Sequence, residues 1–334
     1  MEHLILYLKR HGVSEVILAM GYLPDPIQIG LGNGSSLGIK LIYSVEPKPL
    51  GTAGAIKFAE KYLDDKPFFV FNGDIMTEIN LTEMQERHER VKPKVSIALT
   101  PVINPSAFGV VETDERGVVR RFIEKPPPGT ETTNMINAGI YILEREILDS
   151  MPPDIFFMFE RNVFPPLLET GGKMQSYSSN AYWIDIGTPQ KYLQVQYDLL
   201  NELGNTKVIT QGRSRIHPLT VLEGPIMIGP GCTIEKSSIT GPAVMGPKCK
   251  ISRDTVVEKA VLWSNAQTGE KVFLKGCVIG SNARIGAGCE ILEEAVIGDN
   301  VIMGDGCRVA PGTKVWPDRK IPAKTNLSGD VGKP

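Results

Sequence analysis

Apolar positions recur at helical spacing through the opening MEHLILYLKRHG, where Gly12 supplies the stop, and then run together through EVILAM, a buried strand from about Glu15 to Met20. The alternation continues. IKLIYSV, PFFVFN and KVSIALT read as short strands, and TAGAIKFAEKYL and LTEMQERHERV as the helices between strands. Strands alternating with helices predict a mostly parallel, doubly wound α/β sheet. Between Phe108 and Leu143 the pattern changes to FGVVETD, GVVRRFIEKP and NAGIYIL, strands without intervening helices, which predicts an insertion over one edge of the sheet. A helix from Thr188 to Leu203 closes this half, with Thr188 as N-cap, Pro189 at the first helical position and GNTK as the hinge beyond it.

After the hinge the period becomes six. Ile279, Ile285, Ile291, Ile297, Met303, Val309, Val315 and Ile321 follow one another at that step, and an earlier block (Ile228, Ile234, then Met245, Ile251, Val257) keeps it with one slip between its parts. This resembles the hexapeptide repeat of the left-handed parallel β-helix, in which three sides make one coil and the aliphatic residue points inward. The division expected is therefore 1–207 and 208–334. Cys232, Cys249, Cys277, Cys289 and Cys307 all stand four residues after a repeat-defining apolar residue, where a small buried side chain fits. An odd count with no CxxC pair argues against zinc and against a disulfide framework.

Composition narrows the partners. The 334 residues carry 36 Lys plus Arg against 38 Asp plus Glu, a formal charge of −2 that recruits neither nucleic acid nor an anionic membrane. FFVF is among the longest apolar runs, far short of the roughly 20 residues of a membrane span, and no signal-peptide pattern precedes it. These features point to a cytoplasmic setting.

The first half holds the candidate chemistry. FFVFNGDI puts Asp74, beside Gly73, at the carboxyl end of an apolar strand, and YWIDIGTP repeats the device with Asp185 and Gly187. Two aspartates ending two strands of one sheet can share a divalent ion with a phosphate-bearing substrate; taken singly, Asp74 also suits a turn cap. In EPKPLGTAGAI, Gly51 and Gly54 leave room for a flat ligand, and Thr52 begins a helix whose amides favour an anion or a polar base edge. Glu124 and Lys125 of FIEKP, and Asn137 of NAGIY with Ala138 and Gly139, are of the types that bind sugar hydroxyls and a phosphate, or else are solvated surface residues.

PLGTAGA, NGD, FGVV, EKP, NAGIY and WIDIGTP, in that order and followed by hexapeptide repeats, resemble the sugar-nucleotide pyrophosphorylase (nucleotidyltransferase) family, and within it the mannose-1-phosphate guanylyltransferases. The resemblance implies a Rossmann-like, doubly wound nucleotidyltransferase domain followed by a left-handed parallel β-helix, and a reaction in which an NTP and a sugar 1-phosphate give an NDP-sugar, GDP-mannose first among them, and pyrophosphate. It implies Mg²⁺ on Asp74 and Asp185. It places Leu50, Gly51, Thr52 and Ala53 at the base, Gly73 by the ribose, Gly109, Glu124 and Asn137 at the sugar, Lys125 at its phosphate, and a homo-oligomer assembled through the β-helix. Family members open with a strand and a loop of the form G-G-x-G-T-R-L-x-P-L-T ahead of a helix like EHLILYLKRHG. This sequence starts at that helix, so the expectation is a domain lacking its first strand, with open strand edges beside EVILAM and FFVFN.

Alternative readings are a glucose-1-phosphate thymidylyl- or uridylyltransferase and a non-catalytic sugar-nucleotide-binding or regulatory subunit. An acyltransferase working from the β-helix would need a histidine base on its coils, yet the histidines are His3, His11, His88 and His217, with none from 218 onward.

Overall fold

Gly12 ends the first helix, α1 (Glu2–Arg10), in the left-handed conformation, φ 84°. Its amide donates to the Lys9 carbonyl and the Val13 amide to the Leu8 carbonyl, the bond pair that closes a helix when glycine stands just beyond it. The computed structural model describes residues 1–21, 24–202, 204 and 207–333. After α1 come β1 (Glu15–Met20), α2 (Pro24–Leu31), β2 (Lys40–Val45), α3 (Gly51–Phe58), β3 (Phe68–Phe71), β4 (Ile75–Thr77), α4 (Leu81–Val91) and β5 (Val95–Pro101). Next are β6 (Gly109–Thr113), β7 (Val119–Glu124) and β8 (Met135–Leu143). A π-helical turn, Phe159–Val163, then leads into α5 (Phe164–Glu169), β9 (Met174–Ser178) and β10 (Trp183–Asp185).

The strand pairing corrects one expectation. β8 does not lie over the edge of a parallel sheet. It runs antiparallel between β3 and β5, and in the six-stranded sheet only β5 and β9 pair in parallel. The apolar run of MINAGIYIL is covered on both faces, as a central strand requires. Alternate residues serve two cores: Ile97, Leu99, Tyr141 and Leu143 on one side, Ala98, Ile140 and Ile142 on the other. β1 and β2 form a separate parallel pair. Among the described residues, β1 and β3 thus each keep one edge without a partner strand, at the two places expected.

The chain forms two compact units, Met1–Asp185 and Ile186–Pro334, so that α6 (Pro189–Glu202) falls in the second with the coils. The reason is an outward stripe. Val244, Val261, Val278 and Val296 are successive register partners, and α6 covers them with Tyr192, Leu193 and Tyr197. Left bare, such a stripe would be a contiguous apolar patch. Of the hinge GNTK, Asn205 and Thr206 lie outside the described residues.

Three parallel sheets of eight, seven and seven strands wrap the coils, consistent with a left-handed β-helix. The interior residues Ile279, Ile285, Ile291, Ile297, Met303, Val309 and Val315 take the three faces in turn and are all buried. Register partners Ile228, Met245, Leu262 and Ile279 stand 17 residues apart, whereas Ile279, Ile297 and Val315 stand 18 apart. The shorter coils each lose a residue at one corner, which is the slip in the repeat.

All five cysteines are free and buried within this interior. One offset changes. Leu274, not Phe273, is the interior residue of its strand, so each cysteine is better described as standing two residues before an interior aliphatic (Ile234, Ile251, Ile279, Ile291, Val309). The position also rewards a donor. The thiols of Cys232, Cys249, Cys289 and Cys307 donate to the carbonyls of Gly246, Trp263, Gly304 and Pro322 at 3.0–3.2 Å, and Thr255 does the same to Gly269 at 3.1 Å. No helix among the described residues is long and apolar enough to cross a membrane.

Candidate active site

The two aspartates meet through a short ribbon. After β3 the chain turns at Asn72–Ile75, with the Asn72 carbonyl accepting from the Ile75 amide at 3.3 Å, and enters β4. β4 pairs antiparallel with β10, Ile75 opposite Asp185 and Thr77 opposite Trp183, so Asp74 precedes the residue that faces Asp185. Asp74 is exposed and Asp185 half-buried at the same end of the ribbon. Gly73 is also exposed, and the Met1 methyl is 3.5 Å from where a Cβ would stand. Two carboxylates present hard oxygen donors of the kind Mg²⁺ prefers. Among the described residues no cluster of three or more His, Cys, Asp or Glu side chains adds to them.

Gly139 holds this ribbon to the central strand. It takes φ +70°, its carbonyl accepts from the Asn72 amide at 2.9 Å, and a Cβ there would meet Ile75 Cδ1 at 2.5 Å and Asn72 Nδ2 at 2.6 Å. Trp183 Nε1 donates to the Ala138 carbonyl at 2.9 Å, and the Trp183 ring meets Phe108 edge-on at 5.7 Å. The NAGIY and WID segments are therefore fastened to each other directly.

Beside them lies a polar cluster. Gly109 and Glu124 are cross-strand partners, and a Cβ on Gly109 would come within 2.7 Å of Phe122 Cζ and 3.0 Å of Glu124 Oε2. Burial, and then the negative charge of Glu160, raise the Glu124 carboxyl above its ordinary range, while Lys125 and Arg161 oppose the shift. Lys125 is exposed and sits at φ 46°, a conformation unusual for a side-chain-bearing residue, immediately before Pro126. Asn137 Oδ1 accepts from the Gly139 amide at 2.9 Å and its Nδ2 donates to the Tyr141 hydroxyl at 2.7 Å.

The PLGTAGA segment is built differently from its sequence reading. The close approach at Gly51 and Gly54 is made by the chain itself: a Cβ on Gly51 would meet the Phe157 carbonyl, and one on Gly54 the Ile155 carbonyl, each at 2.7 Å. Leu50 and Ala53 are buried, and the amides of Ala53 and Gly54 donate to the Phe157 carbonyl at 3.0 and 2.9 Å. The start of α3 is thus capped from within, leaving Gly51 and Thr52 half-buried at the surface of the loop.

Two carboxylates were missed. Glu46 follows the carboxyl end of β2, accepts from the Leu50 amide at 3.3 Å, is raised by burial, and faces Gly21 so closely that a side chain there would collide. A carboxylate at a strand end, five residues before Gly51, was a legible signal. Glu160 is 7% exposed in the π-helical turn and accepts from Thr52 Oγ1 at 2.9 Å and from the Tyr141 hydroxyl at 3.4 Å. A lone Glu inside FMFERNVF gave no such signal.

Comparison with known proteins bears on this arrangement. Residues 1–202 match the nucleotidyl transferase family, and residues 206–309 match the LbH domain of EIF2B subunit epsilon. The chain is 34% identical over 245 residues to a mannose-1-phosphate guanylyltransferase of Mycobacterium tuberculosis, covering 70% of this chain and 67% of that protein. It is 35% identical over 254 residues to a probable mannose-1-phosphate guanylyltransferase of rice, Oryza sativa subsp. japonica, covering 70% and 68%. Among solved structures, HddC from Yersinia pseudotuberculosis, also solved in complex with GMP-PN, superposes with a TM-score of 0.51 at 32% identity, over 58% of this chain and 82% of that one.

Proposed function

Because this chain belongs to the nucleotidyl transferase family, we propose that it transfers a nucleotidyl group from a nucleoside triphosphate, GTP first, to a sugar 1-phosphate, mannose 1-phosphate first, with release of pyrophosphate. The observation that supports this most is the β4–β10 register, which brings Asp74 and Asp185 to one end of one ribbon next to the polar cluster around Asn137.

An oxygen of the sugar phosphate attacks the α-phosphorus in line and pyrophosphate leaves. No covalent adduct with the protein is needed, so the residues act by binding, orientation and charge. Asp74 and Asp185 hold Mg²⁺ in this reading, and the bound ion offsets phosphate charge. Lys125 sets a point charge at the sugar phosphate, while Glu124, Asn137 and the Gly109 backbone receive the sugar hydroxyls. Gly73 leaves room at the ribose. Gly51 and Thr52 meet the base, with Leu50 and Ala53 supporting them from below. Glu46 suits a guanine, because one carboxylate can accept from both the ring N1–H and the exocyclic amine. The setting is the cytoplasm, and the coils assemble the homo-oligomer.

A matrix of GTP, ATP, UTP and dTTP against mannose 1-phosphate and glucose 1-phosphate, read by coupled pyrophosphate release, tests the proposal. The largest release is expected for GTP with mannose 1-phosphate. Preference for dTTP or UTP with glucose 1-phosphate would move the reading to the thymidylyl- or uridylyltransferases. A second reading, sugar-nucleotide binding without turnover, is favoured by the separation of the β1–β2 pair, next to Glu46, from the six-stranded sheet. Tight binding of GDP-mannose with no release from any pair would establish it.

A further inference from the structure

Glu160 is a buried carboxylate whose hydrogen-bond partners are neutral. Thr52 Oγ1 donates to one oxygen at 2.9 Å and the Tyr141 hydroxyl reaches the other at 3.4 Å, while among the described residues no cationic nitrogen stands at ion-pair distance. A charge taken out of water without a counter-ion is costly, and packing alone gives no reason to keep one there. What the carboxylate does is join two places far apart in sequence. Thr52 lies in the first turn of α3, and its hydroxyl also accepts from the Phe159 amide at 3.1 Å. Tyr141, wholly buried on β8, accepts from Asn137 Nδ2 at 2.7 Å, and Asn137 in turn holds the Gly139 amide at 2.9 Å. One continuous chain of hydrogen bonds thus runs Thr52, Glu160, Tyr141, Asn137, Gly139.

We propose that Glu160 is a positioning residue that couples the first turn of α3 at Thr52 to the strand at Asn137, so that ordering either one orders the other. The assignment rests on the functional reading above, which puts a base at the first and a sugar at the second. Carboxylate oxygens accept from both sides at once and cannot donate, so only an acceptor at this point lets both hydroxyls turn toward it. Replacing it by Gln offers one oxygen and one amide, which satisfies Thr52 but sets a donor against Tyr141. The 3.4 Å contact is long for a bond to a carboxylate. Binding of a sugar that draws Asn137 inward shortens it and tightens Thr52.

Calorimetric titration of GDP and GDP-mannose into the wild type, Tyr141→Phe, Glu160→Gln, Glu160→Ala and the double variant Tyr141→Phe/Glu160→Ala tests the coupling, with melting temperatures to confirm folding. GDP lacks the sugar, so a purely local effect of Tyr141 would leave its affinity unchanged. The expected result is that Tyr141→Phe weakens GDP by about 3- to 10-fold, in the range of one ordinary hydrogen bond, as suits a contact this long. Glu160→Ala should weaken it at least as much, Glu160→Gln should lie between, and the double variant should be no weaker than Glu160→Ala. Unchanged GDP affinity in folded Tyr141→Phe, or additive losses in the double variant, overturns the proposal. Should Glu160→Ala fail to fold, Glu160→Gln takes its place in the cycle. A wild type that binds neither ligand overturns the functional reading itself, and the coupling with it; one that binds GDP-mannose no tighter than GDP removes the sugar subsite.

Discussion

Gly109 faces Glu124 directly across the β6–β7 ladder, and the space beside it is already taken by Phe122 and the Glu124 carboxylate. A methyl there must push one of them aside. Gly109→Ala is expected to cost about 1–3 kcal/mol, as overpacking does, and to weaken sugar-nucleotide binding more than nucleotide binding. Melting temperature and calorimetric affinities for GDP and GDP-mannose check both parts; equal losses for the two ligands would detach Gly109 from the sugar.

Asp74→Asn and Asp185→Asn should each lower turnover by about 10² or more while retaining part of the sugar-nucleotide affinity, because a carboxamide keeps the shape but not the charge that balances a divalent ion. Initial rates over a magnesium titration are the measurement. Near-normal turnover in either variant would sink the shared-metal assignment.

His88 gives the first unit a pH dependence. Its ring is buried, with Nδ1 2.8 Å from Ser96 Oγ and Nε2 3.2 Å from Glu144, and burial holds its pKa below the ordinary 6.5 despite the opposing pull of Glu144. Above pH 6.5 the ring is neutral in both the folded and unfolded states, so its contribution is flat there. As pH falls below that value the unfolded chain takes up the proton first, and stability declines until the lower folded pKa is passed. Denaturant midpoints should drop between pH 7.5 and 5.5 in the wild type and drop less in His88→Asn. Parallel slopes would refute the assignment.

The cysteines should behave as interior packing. In native protein all five are expected to react slowly with a thiol reagent and, once unfolded, rapidly; chelators should leave the melting temperature unchanged. Burial pushes the Cys277 thiol up to about 12, which places it among the slowest. Five fast native thiols would contradict the coil interior.

Hydrogen exchange should separate the strands of the first unit. β5 is paired on both sides and buried along its length, whereas among the described residues β1 and β3 each have one edge without a strand. Amides of β5 should be among the slowest, and those on the open edges of β1 and β3 should exchange at least about 10²-fold faster, since exposed backbone bonds open locally. Uniform protection across the three strands would mean that those edges are covered in solution.

Most of the local structure was legible because its signals are local. The stop at Gly12, the strands at Glu15–Met20 and Phe68–Phe71 and the step of six from Ile279 are each written in neighbouring residues. Misreadings arose where a partner far along the chain decides. MINAGIYIL reads the same as an edge or a central strand, and only its pairing with both β3 and β5 settles which. Gly51 and Gly54 announce a close approach without saying by what, and the visitor is the backbone of Ile155 and Phe157. The two aspartates were singled out by a rule about strand ends, and Glu46 satisfies the same rule. Glu160 lies in a π-helical turn, a form with no sequence signature, and its role depends on Thr52 and Tyr141, 108 and 19 residues away.

The mixture of 17- and 18-residue coils means that each residue of the β-helix is addressed by face and level rather than by distance along the chain. In a flat sheet the loss of one residue within a strand turns every later side chain to the wrong face. Here a corner absorbs the loss and the next side resumes in phase, with Ile279 stacked on Leu262 just as Ile297 is stacked on Ile279. Small deletions and insertions at corners are therefore close to silent mutations for this half of the molecule. Its length can drift over generations, coil by coil, while its interior stays the same.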